Sequence, residues 1–536
     1  QEMTDTPYGK RGGGRAVGQV QVHAGHSGSH SYDEEEKVAF VDWINDVLAD
    51  DPLCAPKLPI SIEGDEFFSA VHDGILLCKL INDAVPDTID DRALNTKKLS
   101  TFTIHENQTL AINSAKGIGC SVVNIGPKDL MDGTKHLILG LVWQIVKIGL
   151  LSKINLTVHP ELYRLLQPGE TLEDLLKLPA EQLLLRWVNY QLAQAGSSKR
   201  IKNFQGDIAD SEAYSILLKQ IGPSRCGVDM SAMNESDKVK RADKMLQQAD
   251  KLDCRKFVRP KDVVNGVPKL NLAFVANLFN HYPALDPVEE EIKIIEETRE
   301  EKSFRNWMNS LGVDPYVDSV PLYLDLQDGL IILQVMDKVD PGCVDWNNRV
   351  TRNFSRIGAK AKMEKLENCN YAVELAKKHF NFSVVGIDGN DIREGKPMMV
   401  LSILWQLMRR NVLNILHDIA AKKGKTGKIE EHEIIAWAND KLSGAGKSSS
   451  FRSFSDPCLG DSTVMLDLID SIRPGSVNPD LILTDGSEAS LEKNAKLCIT
   501  LARKIGAVVF ALPEDIIESN KKMCMTVFAS LMAVDL

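Results

Sequence analysis

The sequence predicts an all-α protein made of four helical bundles arranged as two tandem pairs. Three observations carry this: a tryptophan pattern recurs four times, the apolar positions follow a helical period, and the β-branched runs that would read as strands are short. The chain has 536 residues, 43% of them hydrophobic, enough for several cores rather than one.

Each copy opens on a helix carrying tryptophan, then an aliphatic or small residue, then asparagine: "FVDWIND" (Trp43), "LRWVNY" (Trp187), "FRNWMNS" (Trp307) and "IIAWAND" (Trp437). These four tryptophans are expected to anchor cores. A second helix follows, from "HDGILLCKLIN" at His72, "DSEAYSILLKQI" at Asp210, "QDGLIILQVMD" at Gln327 and "DSTVMLDLIDSI" at Asp461. Odd copies open it with Asp-Gly and even copies with Asp-Ser, both helix-starting pairs ahead of an apolar stretch. The third element is an asparagine-containing amphipathic helix that runs into a short hydrophobic segment, as in "ENQTLAINSAKGIGCSVVNIG" and "ENCNYAVELAKKHFNFSVVGIDG"; the second copy departs with a polar "DCRKFV".

The last element is a late apolar helix: "HLILGLVWQIVKIGLL", "KLNLAFVANLFNHY", "MMVLSILWQLMRRNV" and "MCMTVFASLMAVDL". Leu137–Leu151 is the most apolar of these. It is shorter than the about 20 residues a bilayer span requires and carries Lys147, so it is expected to be a buried core helix with Trp143 inside and the end from Lys147 emerging at the surface.

Spacing shows a nested duplication. Trp43 and Trp307 are 264 residues apart, Trp143 and Trp405 are 262, and Asp210 and Asp461 are 251, so the first half repeats as the second. The expected domains are 31–156, 177–286, 294–415 and 428–536, paired as 31–286 and 294–536. The acidic stretch before Trp307 is expected to favour the start of its helix. Segment 1–30 is rich in Gly, Ser and His and is expected to be disordered; its His23, His26 and His30 read as part of a flexible tail rather than a metal site.

The net charge of −11, spread along the chain, argues against general affinity for nucleic acid or anionic membrane. Ten scattered cysteines without a C-x-x-C pair read as free thiols of a reduced, cytosolic protein. "SGAGKSSS" imitates a phosphate loop, but Lys441 stands where the first glycine belongs. "GIGCSV" lacks the third glycine of a dinucleotide fingerprint, and "DGNDIREGK" has Ile392 where a calcium loop places an oxygen ligand. No zinc-ligand spacing or paired nucleophile and base stands out. No enzyme, cofactor or metal is expected.

The W-x-N of the first helix, the DG-x-x-L-x-x-L-I after it and the L-x-L-W-Q of the late helix resemble calponin-homology domains, and two odd/even pairs in tandem resemble the fimbrin/plastin family. "LINDAVPDTIDDRALNTKK" and "HLILGLVWQIVKIGLL" carry the likeness most strongly. The resemblance implies bundles of about four main helices, filamentous actin as partner, and a bundling protein of the actin cytoskeleton acting as a monomer. No EF-hand loop precedes residue 31, so the sequence reads as the actin-binding core alone. A single-site adaptor whose second half binds another partner is the competing expectation.

By the same resemblance, the actin-contacting surface draws on the first and late helices of the odd copies, with a contribution from the start of the even ones. It implicates Lys37, Phe40, Lys135, His136, Gln144, Lys147, Ile148 and Leu151 in the first half, and Arg299, Lys302, Lys396, Gln406, Arg409 and Arg410 in the second. Two readings stand for Gln144 and Gln406, contact with actin or a brace on neighbouring backbone. Lys147, Arg409 and Arg410 equally suit helix C-termini, where cations favour the macrodipole.

Overall fold

The computed structural model describes residues 33–289, 296–356 and 358–536, and among them the regular structure is entirely helical. Segment 1–30, with its three histidines, lies outside the described residues. Sixteen helices of ten residues or more fall four to a bundle. The first bundle has α1 (Glu34–Val47), α2 (Ile75–Ala84), α3 (Thr101–Gly117) and α4 (Lys135–Leu151). The second has α5 (Ala180–Gln194), α6 (Glu212–Ile221), α7 (Lys238–Asp250) and α8 (Pro268–His281). The third has α9 (Arg299–Ser310), α10 (Leu330–Val339), α11 (Ala359–Lys378) and α12 (Pro397–Lys422), and the fourth has α13 (Glu431–Gly444), α14 (Thr463–Ile472), α15 (Glu488–Ile505) and α16 (Lys521–Asp535).

The asparagine of the tryptophan motif has one task in every copy. Asn45 donates through Nδ2 to the Ile60 carbonyl at 2.8 Å and accepts from the Ile60 amide through Oδ1. Asn189 does the same to Ile201, Asn309 to Val317 and Asn439 to Phe451. One amide side chain thus satisfies both backbone groups of a loop residue, which pins the loop to the first helix.

The Asp-Gly and Asp-Ser pairs also share a conformation. Asp73, Asp210, Asp328 and Asp461 each accept the amide two residues on through Oδ1, at 2.9–3.0 Å. The residue between is left-handed: Gly74, Ser211, Gly329 and Ser462 have φ of 80°, 63°, 77° and 68°. In the odd bundles a Cβ at Gly74 would stand 2.8 Å from Asn107 Cβ, and one at Gly329 would stand 3.0 Å from the Asn368 carbonyl carbon. Glycine is required there by close approach as well as by backbone shape.

Those neighbours, Asn107 and Asn368, are the asparagines of the third helix. Each clamps a preceding loop, at Asn95 and Thr351, and donates to the carbonyl of the Asp before the left-handed glycine. Asn494 clamps Leu483, and in the second bundle Arg241 replaces asparagine by donating to Glu235 and Asp210 carbonyls.

Two apolar cores form, one shared by the first and second bundles and one by the third and fourth; Ala93 alone of the first half belongs to the latter. From Ile138 to Val146 every residue of α4 except Gly140 is buried, as its sequence predicts. No helix of the described residues is long and apolar enough to cross a membrane. Trp187 and Trp307 are core residues, whereas Trp43 and Trp437 are only half-buried. Trp43 packs on Phe257 of the second bundle, ring centroids 4.7 Å apart, and Trp437 donates through Nε1 to Asp535 at 3.0 Å. Trp43 therefore serves the joint between the first two bundles, whereas Trp437 ties the first and late helices of its own bundle. Thr298 caps α9 by accepting the Glu301 amide, with Glu300 and Glu301 in the first turn.

Candidate functional site

The fourteen residues implicated by the resemblance do not form one kind of surface. Lys37 is 1% exposed; its ammonium donates to the Gly64 carbonyl at 2.7 Å and lies 2.6 Å from Glu34. Phe40 is fully buried and stacks on Trp143 with centroids 6.0 Å apart. These two serve the core rather than an open contact, because α1 turns its Lys37–Val41 face inward.

The glutamines of the W-Q motif resolve toward the brace. Gln144 accepts the Ser121 amide at 2.8 Å and donates to its carbonyl at 2.9 Å; Gln406 holds Ser383 in the same way at 2.8 and 3.0 Å. Each locks the segment after the third helix onto the late helix. Gln144 is buried and Gln406 half-buried.

The basic tips differ from the expectation of emergence at the surface. Lys147 is half-buried, facing Glu181 of the second bundle and Asp318 of the third; burial pushes its pKa down and the two carboxylates push it up. Ile148 and Leu151 pack against the core of the first half. Arg409 reaches Glu431 at 2.6 Å, and Arg410 donates to the Phe380 carbonyl at 2.6 Å with its guanidinium 5.4 Å from the Phe382 ring centroid. Arg299 is bonded to Glu518 at 2.5 Å and lies 3.6 Å from Asp515, tying α9 to the fourth bundle. Lys147, Arg299 and Arg409 thus face neighbouring bundles, whereas Arg410 stays within the third; α12 continues to Lys422, leaving no open helix end after Arg410.

What remains open lies at the other end of the late helices. Lys135 pairs with Asp65 at 2.8 Å and sits over Phe68, beside half-buried His136. Lys396 pairs with Asp391 at 2.7 Å and is 52% exposed, and Lys302 is half-buried. Elsewhere on the odd domains, three apolar side chains stand in solvent: Val123 at 60%, Val385 at 94% and Met398 at 82%. Val123 and Val385 are repeat equivalents, each two residues after the serine that its glutamine holds. Met398 occupies the place of His136, two residues after the position before the late helix. Sequence reading passed over all three because a lone valine or methionine carries no motif; the repeat register was the signal that could have found them.

A family model described as Calponin homology (CH) domain matches residues 34–150, 178–284, 298–412 and 428–535. Fimbrin of Dictyostelium discoideum is 56% identical over 528 residues, 97% of this chain and 85% of that protein. The chain belongs to the fimbrin/plastin family. Plastin-3 of Homo sapiens is 52% identical over 529 residues, 96% of this chain and 82% of its own length. The crystal structure of the actin-crosslinking core of Schizosaccharomyces pombe fimbrin superposes with a TM-score of 0.79 at 41% identity, covering 94% of this chain and all of that one. The four bundles are thus the calponin-homology domains of a fimbrin/plastin core, odd and even in each half.

Proposed function

We propose that this chain binds filamentous actin through each of its two domain pairs, as a monomer in the cytoplasmic actin cytoskeleton, and cross-links filaments into bundles. The observation that supports it best is duplication in three dimensions: each pair closes around its own apolar core, and each odd domain exposes the equivalent valine after its third helix, Val123 or Val385. Two equivalent adhesive bodies on one chain allow either avidity on one filament or a bridge between two. The name of the S. pombe core supports the bridge.

The contact surface proposed draws on Val123, Lys135 and His136 in the first half, and on Val385, Lys396, Met398 and Lys302 in the second. Exposed apolar side chains together with cations suit an acidic protein surface, with the apolar groups giving affinity and the charges giving orientation. Behind it, the half-buried Lys147, Arg299 and Arg409 face neighbouring domains, Gln406 and Arg410 brace the third domain, and Ile148 and Leu151 pack on the core of the first half. High-speed co-sedimentation with actin filaments tests the surface: Met398→Glu in the intact chain weakens binding, and unchanged affinity removes that residue from it.

A further inference from the structure

The fourth domain sits on the first, and the contact is polar. Asp90 donates its amide to Thr500 Oγ1 at 3.0 Å, Asn113 donates to the Arg503 carbonyl at 3.0 Å, and Lys504 donates to the Ala93 carbonyl at 2.8 Å. Arg473 lies 3.7 Å from Glu106, and Lys496 lies 3.8 Å from Asp87. Cations of the fourth domain thus meet carboxylates and carbonyls of the first.

At the centre is Arg503, 5% exposed, on α15. It donates through Nη1 to the Thr88 carbonyl across the interface at 3.4 Å and through Nη2 to the Val509 carbonyl at 2.7 Å. No carboxylate pairs with it among the described residues, so its charge is held by carbonyl dipoles alone, a costly arrangement that requires close fit. Gly117 supplies the fit. A Cβ on it would stand 2.4 Å from Arg503 Nη2. Helix termination does not explain this glycine, because the left-handed residue that follows α3 is Gly119, with φ of 99°. Gly117 is the last residue of α3, and the place its side chain would occupy is taken by the Arg503 guanidinium.

The repeat shows why no other pair docks this way. Asn107, Arg241, Asn368 and Asn494, the loop clamps of the four third helices, each stand eight residues before an alanine: Ala115, Ala249, Ala376 and Ala502. Counting from these alanines, the place of Gly117 in the third domain is Lys378, and the place of Asn113 is Glu374. Glu374 is engaged by Arg349 at 2.7 Å and by Lys378 itself at 3.4 Å. The place of Arg503 in the second domain is Asp250. The third domain therefore presents a lysine where the guanidinium must enter, and the second domain presents a carboxylate where the key must be.

We propose that the Gly117 face of α3 is a recognition site for one partner, the arginine-bearing third helix of the fourth domain, and that Gly117 and Arg503 are the residues that select it. The dock is largely polar: apart from Ala93, no first-half residue among the described residues joins the apolar core of the second half. It depends on no actin chemistry, so its failure would leave the filament-binding reading intact.

Amide-resolved hydrogen exchange on the whole chain tests it. The Asp90 amide reports the dock, whereas the Ile60 amide, bonded to Asn45, and the Phe451 amide, bonded to Asn439, report the integrity of the two domains. In Gly117→Lys, which installs the third domain's residue, protection at Asp90 is expected to fall by about tenfold or more while Ile60 and Phe451 keep theirs. If Ile60 is lost too, the first domain has loosened, and Arg503→Met, which leaves α3 untouched, decides: loss at Asp90 alone supports the dock. Unchanged Asp90 protection in Arg503→Met overturns it.

Discussion

Asp318 of the third domain accepts a hydrogen bond from the Ala180 amide, 3.5 Å away, at the start of the second domain's first helix. Lys147 of the first domain and Arg305 of the third face the same carboxylate, so three domains meet at one acid. Burial, with the charge of nearby Asp325, pushes its pKa up to about 7; Ala180, Lys147 and Arg305 pull the other way and lose. A carboxyl whose pKa is higher folded than unfolded contributes stability that is whole below its unfolded value near 4 and is lost as pH rises through 7. Asp318→Asn is therefore expected to raise the melting temperature at pH 8 and leave it nearly unchanged at pH 4, where the wild-type acid is already protonated. A melting scan against pH checks this; equal effects at both pH values would contradict it.

Lys147→Glu adds a carboxylate to that joint, opposite Glu181 and Asp318. On sequence alone the substitution is expected to weaken actin binding without touching stability. The structure reverses the emphasis: the melting temperature falls, by an amount corresponding to about 1–3 kcal/mol for an unpaired charge placed in a half-buried site. Differential scanning calorimetry measures it.

The asparagine clamps set local stability. Asn309 is 2% exposed and satisfies both the amide and the carbonyl of Val317, at 2.8 and 2.9 Å. Asn309→Ala leaves a buried donor and a buried acceptor unpaired, which costs about 1–3 kcal/mol for each group that water cannot reach. Denaturant unfolding of the variant is expected to show the loss in the transition of the second half.

The left-handed step gives a contrast of sign. Gly329→Ala places a Cβ 3.0 Å from the Asn368 backbone at φ of 77°, and destabilises by about 1 kcal/mol or more. Ser462→Gly relieves a φ of 68° and removes a buried hydroxyl without a partner, so it is expected to be neutral or stabilising by up to about 1 kcal/mol. Parallel thermal melts compare the two.

The fold was legible because helical periodicity and a repeated W-x-N survive in sequence, and both reflect packing that each copy must solve alone. The reason for the asparagine was not legible, since its partner is a loop backbone eight to fifteen residues on. Candidate contacts fared worse. Lys37 and Phe40 lie on a first helix whose buried face cannot be told from a binding face by polarity, because a lysine can sink its stem and bond a carbonyl. Arg299 and Arg409 look free until domain packing brings Glu518 and Glu431 beside them, and Arg410 until its own domain folds Phe380 against it. Val123, Val385 and Met398 show the converse: exposure is a property of the assembled bundle, and nothing in an isolated valine announces it.

Low-speed sedimentation with actin filaments is the most direct test of two adhesive pairs on one chain. The intact chain is expected to pellet filaments as bundles, and Met398→Glu, which spoils one pair and spares the other, is expected to abolish the low-speed pellet while high-speed binding persists at reduced stoichiometry. An intact chain that saturates filaments yet never yields a low-speed pellet would contradict the account.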